Sequence, residues 1–232
     1  VIFAPAFSEV TFLRRYKRFL ADVRCADGSE MTVHCPNSGS MLSCLGPQWP
    51  AAISDSGNSK RKYRYSLEML YSGESWIGIN TWRSNALVGE AIRAGQIAPL
   101  RGYSELRREV KYGENSRIDI HLEKAGEECY VEVKNVTMVD AENYNSFPDA
   151  VTLRGRKHLR ELINVRAAGR RAVMFFLVQR SDGKGFRPAA HIDPAYAEAL
   201  HEARTAGVEI IVYQCAVSPR EIRIDKALDC TF

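Results

Sequence analysis

The stretch SRIDIHLEKAGEECYVEVKNV, residues 116–136, most constrains this chain. Two runs of alternating residues flank a short turn, which is the pattern of a β-hairpin. Alternate residues of a strand share a face. Ile118, Ile120 and Leu122 therefore point one way, and Arg117, Asp119 and His121 the other. In the returning strand Cys129, Val131 and Val133 oppose Glu132 and Lys134, which share a face about 7 Å apart. Joining the apolar sides puts Asp119 beside Glu132. Two readings fit that placement. One is an exposed sheet face with ordinary cross-strand Glu–Lys pairing. The other is a divalent cation held between the acids, where it binds a phosphate oxygen and acidifies a water that Lys134 orients.

The rest of the chain sets the context. Its 232 residues suffice for one large domain or two small ones. With 45% apolar and 26% charged residues, a globular chain is expected, and no apolar run approaches the ~18 residues of a membrane span. The N-terminus lacks a basic segment followed by a long apolar core, so no signal peptide and a cytoplasmic location are expected. The six cysteines form no Cys-x-x-Cys pair and no zinc spacing, so reduced thiols are expected, with Cys129 and Cys215 as small core residues.

The texture changes near residue 85. Before it, YKRFLADVRC (16–25) alternates as a strand with Phe19, Ala21 and Val23 on one face. An Asp27-Gly28 turn then leads into a returning strand, SEMTVHC (29–35). WIGINTW (76–82) is a further strand, and the whole suggests a small OB-like barrel. After it, Ser84 is an N-cap candidate for a helix ending at Gly95, and SELRREVKYG (104–113) reads as a second short helix capped by Ser104. The hairpin follows, then a helix over 150–167 with Leu159, Leu162 and Ile163 on its apolar stripe and Asp149 as N-cap. RAVMFFLVQ (171–179) is a strand buried on both faces. A helix from Asp193-Pro194 to Gly207 and a strand over 208–217 complete an α/β (α+β overall) pattern. The division is therefore 1–84 and 85–232.

Three basic clusters stand apart: RRYKR (14–18), KRKYR (60–64) and RGRKHLR (154–160). Lysines and arginines neutralise phosphates, and interleaved tyrosines stack on unpaired bases. On the third helix Arg154, His158 and Glu161 recur at i, i+4 and i+7, giving an expected exposed face for a phosphate clamp. His158 is also a candidate general acid. In HCPNSGSM (34–41), His34 and Cys35 are adjacent on a strand and point apart, which argues against a thiol–imidazole pair. Asn37 and Ser38 there either bond a phosphate or shape the turn.

The segments RYKRFLADV (15–23), HCPNSGSM (34–41), SKRKY (59–63), EVKYGENSRIDI (109–120), YVEVKNVT (130–137) and FPDAVTLRGRKHLREL (147–162) make the chain resemble the sugar fermentation stimulation protein family. The resemblance implies an N-terminal OB-like β-barrel followed by a PD-(D/E)xK nuclease-like mixed-sheet domain. It also implies DNA binding without strong sequence preference and a regulatory part in maltose and sugar metabolism. On that pattern Asp119, Glu132 and Lys134 are the catalytic set. Asp119 and Glu132, with Glu109 near the end of the preceding helix, are the metal-site acids for Mg²⁺ or Mn²⁺. Expected DNA contacts are Arg15, Tyr16, Lys17, Arg18, His34, Asn37, Lys60, Arg61, Lys62, Arg154, Lys157 and His158. Phosphate contacts alone do not distinguish DNA from RNA, and no membrane partner is expected. A non-enzymatic DNA-binding regulator uses the same surface, because nuclease folds are often kept for binding after catalysis is lost.

Overall fold

The computed structural model describes residues 1–113 and 116–232; Glu114 and Asn115, inside the EVKYGENSRIDI stretch, lie outside the described residues. Strands β1 (Ser8–Tyr16), β2 (Leu20–Arg24), β3 (Glu30–His34), β4 (Pro50–Asp55), β5 (Tyr65–Tyr71) and β6 (Trp76–Gly78) form one sheet in the order β3-β2-β1-β4-β5-β6. A parallel pair, His34 with Ser66, closes β3 onto β5. The resulting ring β1-β2-β3-β5-β4 is the five-stranded OB barrel. Its interior is filled by alternating residues such as Ala21, Val23, Val33, Ile53 and Leu67.

One expected strand is in fact a turn and a strand. The alternation of residues 16–25 holds only from Leu20 onward. Tyr16 pairs with Leu20 across a tight turn in which Lys17 and Arg18 take left-handed φ of 48° and 64°. The turn is held from below, because the Arg15 guanidinium donates to the Arg18 carbonyl at 2.9 Å. Phe19 consequently sits at the barrel's tip, 45% exposed, instead of inside with Ala21 and Val23.

The chain enters the second half through a 3-10 turn, Thr81–Arg83, and helix α1 (Ser84–Arg93). Asn80 caps the turn by accepting from the Trp82 amide at 3.1 Å. Ser84 therefore lies inside a continuous helical segment instead of capping it, and its hydroxyl donates to Asn135 Oδ1 at 3.2 Å. Strands β7 (Glu105–Tyr112), β8 (Ser116–Lys124) and β9 (Glu127–Val136) follow as an antiparallel meander. Residues 104–113, read from sequence as a helix, are thus an edge strand. Its charged residues Arg107, Arg108 and Lys111 suit the exposed rim of a sheet better than a helix face.

Beyond the meander come β10 (Met138–Val139), β11 (Asn145–Phe147), α2 (Leu153–Ala167), β12 (Arg171–Val178), β13 (Phe186–Pro188), α3 (Pro194–Thr205), β14 (Glu209–Val217) and β15 (Ile222–Ala227). The main mixed sheet has the order β15-β14-β12-β9-β8-β7, and β10, β11 and β13 form a small separate sheet. Helix α1 covers one face, where Leu87 and Val88 meet Ile120, Val131 and Phe175. Helices α2 and α3 cover the other, where Leu159, Leu162 and Leu200 meet Met174 and Phe176. β12 is buried on both faces, as its continuous apolar run implies. All six cysteines are unbridged, and Cys129 and Cys215 are core residues as expected. Among the described residues no helix is long and apolar enough to cross a membrane.

The hairpin deviates from simple alternation at one place. Ile120 and Leu122 pack toward α1, whereas Ile118 packs toward α2. The neighbouring strand does the same, with Leu106 on the first core and Val110 on the second. Glu109, between Arg108–Ile120 and Val110–Ile118 in the register, has a left-handed φ of 54°. That local reversal lets both strands change faces, and it falls opposite Asp119.

The two halves are stitched by polar contacts. Gly78 N donates to Gln179 O at 2.8 Å, and the loop after β3 bonds to the segment before α2. There Asp149 accepts from Met41 N at 2.7 Å, and its carbonyl accepts from the Ser40 hydroxyl. Asp149 is therefore committed to the loop, and the N-cap of α2 is Thr152, whose hydroxyl accepts from Gly155 N at 3.0 Å. Asp193 caps α3 as expected, accepting from Tyr196 N at 3.0 Å, and its second oxygen accepts from Thr152 N at 2.8 Å.

One buried carboxylate thus holds the starts of both helices. Asp193→Ala leaves these amides unpaired and is expected to lower unfolding free energy by about 2 kcal/mol or more, read by chemical denaturation. A change under about 0.5 kcal/mol would show that Asp193 is not the shared cap.

Candidate functional site

Glu132 is 2% exposed, in the middle of β9 and in register with Met174 of β12. A carboxylate there needs compensation. Lys134, two residues on and on the same face, donates to Glu132 Oε1 at 2.7 Å. His158 from α2 bonds the same oxygen through Nδ1, which also lies 3.1 Å from Lys134 Nζ. Arg154, one turn earlier, donates from Nε to His158 Nε2 at 3.3 Å. An acceptor at Nε2 puts the ring proton on Nδ1, toward Glu132. Burial alone would raise the Glu132 carboxyl; Lys134 and His158 outweigh it and hold the pKa below the ordinary range. The second oxygen, Oε2, is buried without a hydrogen-bond partner.

Asp119 lies beside it across the hairpin. Its Oδ2 accepts from Val133 N at 2.8 Å and its Oδ1 from Asn85 Nδ2 at 2.8 Å. Burial, reinforced by the Glu132 charge, pushes the Asp119 carboxyl up to about 6. Two acids, one raised by burial and the other's charge and one with a bare oxygen, are short of a positive charge between them. Hard oxygen donors of this kind suit Mg²⁺ or Mn²⁺, which commonly takes one or two carboxylates and fills the remaining positions with water or phosphate. Among the described residues, no three His, Cys, Asp or Glu side chains converge as one metal cluster.

Glu109 meets the pair through an amide bridge. It is exposed, on a strand and not at a helix end, and it accepts from Asn85 Nδ2 at 3.0 Å. Asn85 thus bridges Glu109 and Asp119. Sequence reasoning missed Asn85, because an asparagine in the first turn of a helix carries no signal of its own. Also missed was the Ser84–Asn135–Gln179 network, in which Gln179 Nε2 and Ser84 Oγ both reach Asn135 Oδ1. It fixes the start of α1 against the end of β9.

Asp119, Glu132, Lys134, Arg154 and His158 line a cavity of about 620 Å³ that also takes in Arg18, Asn37 and Trp82 from the barrel side. The expected DNA contacts divide sharply. Arg18, Lys17, Lys60, Arg61, Lys62, Arg154 and Lys157 are exposed. Among the described residues Lys60, Arg61 and Lys62 form no ion pair, whereas Lys157 lies 3.6 Å from Glu161 and lines a different cavity from Arg154. Arg15 is committed elsewhere: its guanidinium bonds the carbonyls of Arg18, Asn37, Gly39 and Ser40. Tyr16 OH is held by Asp22 and Thr32. Asn37 is 5% exposed, its amide donating to Ile79 O at 3.0 Å and accepting from Gly39 N at 2.8 Å. These three shape the loops instead of presenting donors to phosphate. His34 is partly buried, its ring 5.2 Å from that of Trp82. His158 and Glu161 are buried, not exposed as the helical spacing suggested, because this face of α2 lies over the meander, where His158 meets Glu132 and Glu161 accepts from Ser116 and Tyr112.

An OB barrel joined to a helix-flanked mixed sheet, with an acid–acid–lysine cluster in the cleft between them, defines a two-domain class. A profile described as the SfsA N-terminal OB domain matches residues 13–79, and one for the sugar fermentation stimulation protein RE domain matches 82–221. The chain is 51% identical to the sugar fermentation stimulation protein homolog of Acidithiobacillus ferrooxidans, over 96% of this chain and 97% of that one. It is likewise 51% identical to the homolog of Teredinibacter turnerae, over 98% of each chain. The structure of Pyrococcus furiosus SfsA in complex with Ca²⁺ is similar with a TM-score of 0.90 at 27% identity, covering 100% of this chain and 98% of that one. The chain belongs to the sugar fermentation stimulation protein family.

The raised Asp119 pKa has a consequence for stability. The folded protein holds this proton more tightly than the unfolded chain, whose aspartates titrate near ~4. The contribution to stability is full below about pH 4 and is lost as pH rises through about 6. Asparagine never ionises. In EDTA, Asp119→Asn is therefore expected to raise the thermal midpoint at pH 7.5 and to change it far less at pH 4. An equal shift at both pH values would count against the charge conflict.

Proposed function

We propose that this chain binds DNA without strong sequence preference and that its cleft is a Mg²⁺- or Mn²⁺-dependent phosphodiesterase site. The observation that carries the reading is Glu132. One of its oxygens is clamped by Lys134 and His158, and the other is buried and bare beside an aspartate with a raised pKa. Asp119 and Glu132 would hold the cation, and the Ca²⁺ of the Pyrococcus furiosus relative supports a hard-cation site. When bound, the cation supplies Lewis acidity and a more acidic water.

The chain's own side chains do the rest. His158, oriented by Arg154, positions Glu132. Lys134 carries the positive charge that faces the scissile phosphate, stabilising charge that builds on it. Arg18 and Arg154 flank the cleft, and Lys60, Arg61 and Lys62 extend the basic surface along the barrel for phosphates farther along the strand. Asn85 holds Asp119 toward the cleft. The barrel would span 1–84 and the nuclease-like domain 85–232. Binding without cleavage is the second reading. It draws on Glu109, which is exposed and meets Asp119 through Asn85, so that among the described residues no third His, Cys, Asp or Glu converges with the acid pair as one metal cluster.

Calorimetry with Mn²⁺ is expected to show one binding event that Asp119→Asn combined with Glu132→Gln abolishes; unchanged binding would remove the site. Lys134→Ala is expected to slow single-turnover cleavage at least ~100-fold while barely altering metal-free DNA affinity. If the wild type cuts neither single-stranded, duplex nor branched DNA in Mg²⁺ or Mn²⁺, the second reading holds.

Affinity should fall steeply with salt, and the slope should shrink when Lys60, Arg61 and Lys62 are neutralised together. A slope that is the same in that variant would place the DNA elsewhere.

A further inference from the structure

Trp82 is 66% exposed, unusual for the largest apolar side chain in a folded domain. Its backbone is nonetheless fixed firmly. The Trp82 amide is capped by Asn80, whose own amide donates to the buried Glu68 at 2.9 Å. The next residue, Arg83, holds both oxygens of Glu68 at 2.6 and 2.7 Å. A buried carboxylate thus anchors a short turn whose exposed product is an indole. Fixing the backbone beneath an exposed aromatic lowers the entropy cost of using it as a contact.

Its neighbours come from separate parts of the barrel. The His34 ring lies 5.2 Å away, at the end of β3. Phe19, 45% exposed at the β1–β2 tip, is tied to the same place, because its carbonyl accepts from Cys35 N at 2.8 Å. Burial, and then the Arg61 charge, hold the His34 pKa below its usual value. Arg18 and Trp82 both line the cleft that contains Asp119 and Glu132. His34 pairs with Leu20 and with Ser66, so the β1–β2 and β4–β5 loops, which OB folds use to contact oligonucleotides, are gathered at one end of the barrel. That end opens onto the acid pair.

We propose that Trp82, with His34 against it and Phe19 nearby, is a stacking platform for one unpaired nucleobase, so that the strand entering the cleft is single-stranded at this point. This rests on the phosphodiester-binding reading of the cleft and specifies its substrate. The occupant follows from complementarity. An apolar π-surface in a cleft that Arg18 also lines matches a base flanked by its phosphates, and every base offers a face for stacking. In a duplex those faces are already covered by neighbouring pairs. Intact duplex can lie along the basic surface but cannot fill the platform. A strand end, flap or melted segment can.

The test uses the full chain in EDTA, so that binding is read without cleavage. Intrinsic tryptophan fluorescence is followed on titration with a thymidine oligonucleotide and, separately, a blunt duplex of equal charge. The wild type should be quenched by the single strand. Trp82→Ala should lose that quench and weaken single-strand affinity at least ~10-fold, with duplex affinity within about twofold. Trp82→Phe should restore most of the affinity. Thermal melting checks that the variants are folded. A uridine oligonucleotide with the same Trp82 dependence also supports the platform and shows that it reads the base, not the sugar.

Single-strand affinity unchanged in Trp82→Ala, or lost equally for both forms, would overturn the platform while leaving the cleft assignment intact. A wild type that binds neither form would instead overturn the cleft reading on which the platform depends.

Discussion

A carboxylate buried at the middle of a sheet organises this protein. Glu132 sits between apolar neighbours on β9 and β12, where an uncompensated charge costs several kcal/mol. Its compensation recruits three elements. Lys134 comes from the same strand, His158 from α2, and Arg154 orients the histidine from one turn away. Helix α2 can reach it only because Thr152 and Asp193 fix where that helix begins. The charge is compensated at one oxygen alone. The other is buried without a hydrogen-bond partner.

The cleft is not a property of either half. The loop after β3 is shaped by Arg15, which bonds four carbonyls, and is then pinned to Asp149 on the other side. Space there is tight: a Cβ on Gly39 would come within 2.5 Å of the Asp149 carboxylate. Gly78 is equally close to the Gln179 side chain. Such contacts hold the barrel at a fixed distance from the acid pair. Arg18, Trp82 and Glu132 can therefore line one cavity although they are more than a hundred residues apart at the extremes.

Asp119 and Glu132 differ in a way that a single sheet position would not produce. Glu132 has a cation at hand, which holds its pKa below the ordinary range against burial, while burial and the Glu132 charge raise Asp119 to about 6 despite its amide donors. The reversal at Glu109 contributes to this asymmetry. It breaks regular pairing opposite Asp119, so that Asp119 turns to Val133 N and Asn85 for partners. The same reversal leaves Glu109 exposed, meeting Asp119 through the shared Asn85 amide and not facing Glu132 directly.

The sequence by itself determined the elements whose signal is local. Alternation in residues 116–136 was enough to show the hairpin and to put Glu132 and Lys134 on one face, because strand periodicity is a property of the backbone; it did not show the change of face between Ile118 and Ile120 at which Asp119 lies. The doubly buried β12, the Asp193-Pro194 start of α3 and the Asp27-Gly28 turn were legible for the same reason. What only the tertiary structure decided depends on partners far along the chain. Residues 104–113 have helical composition but became a strand once β8 offered an edge. Arg15 and Asn37 look like phosphate ligands until the loop they hold is seen. His158 and Glu161 look exposed until α2 is laid on the meander. Asn85 and Trp82 carry no pattern at all, since their roles come from where a capped turn and a helix start happen to meet the sheet. Periodicity fixes which way a side chain points along its own element, and long-range packing fixes what it then meets.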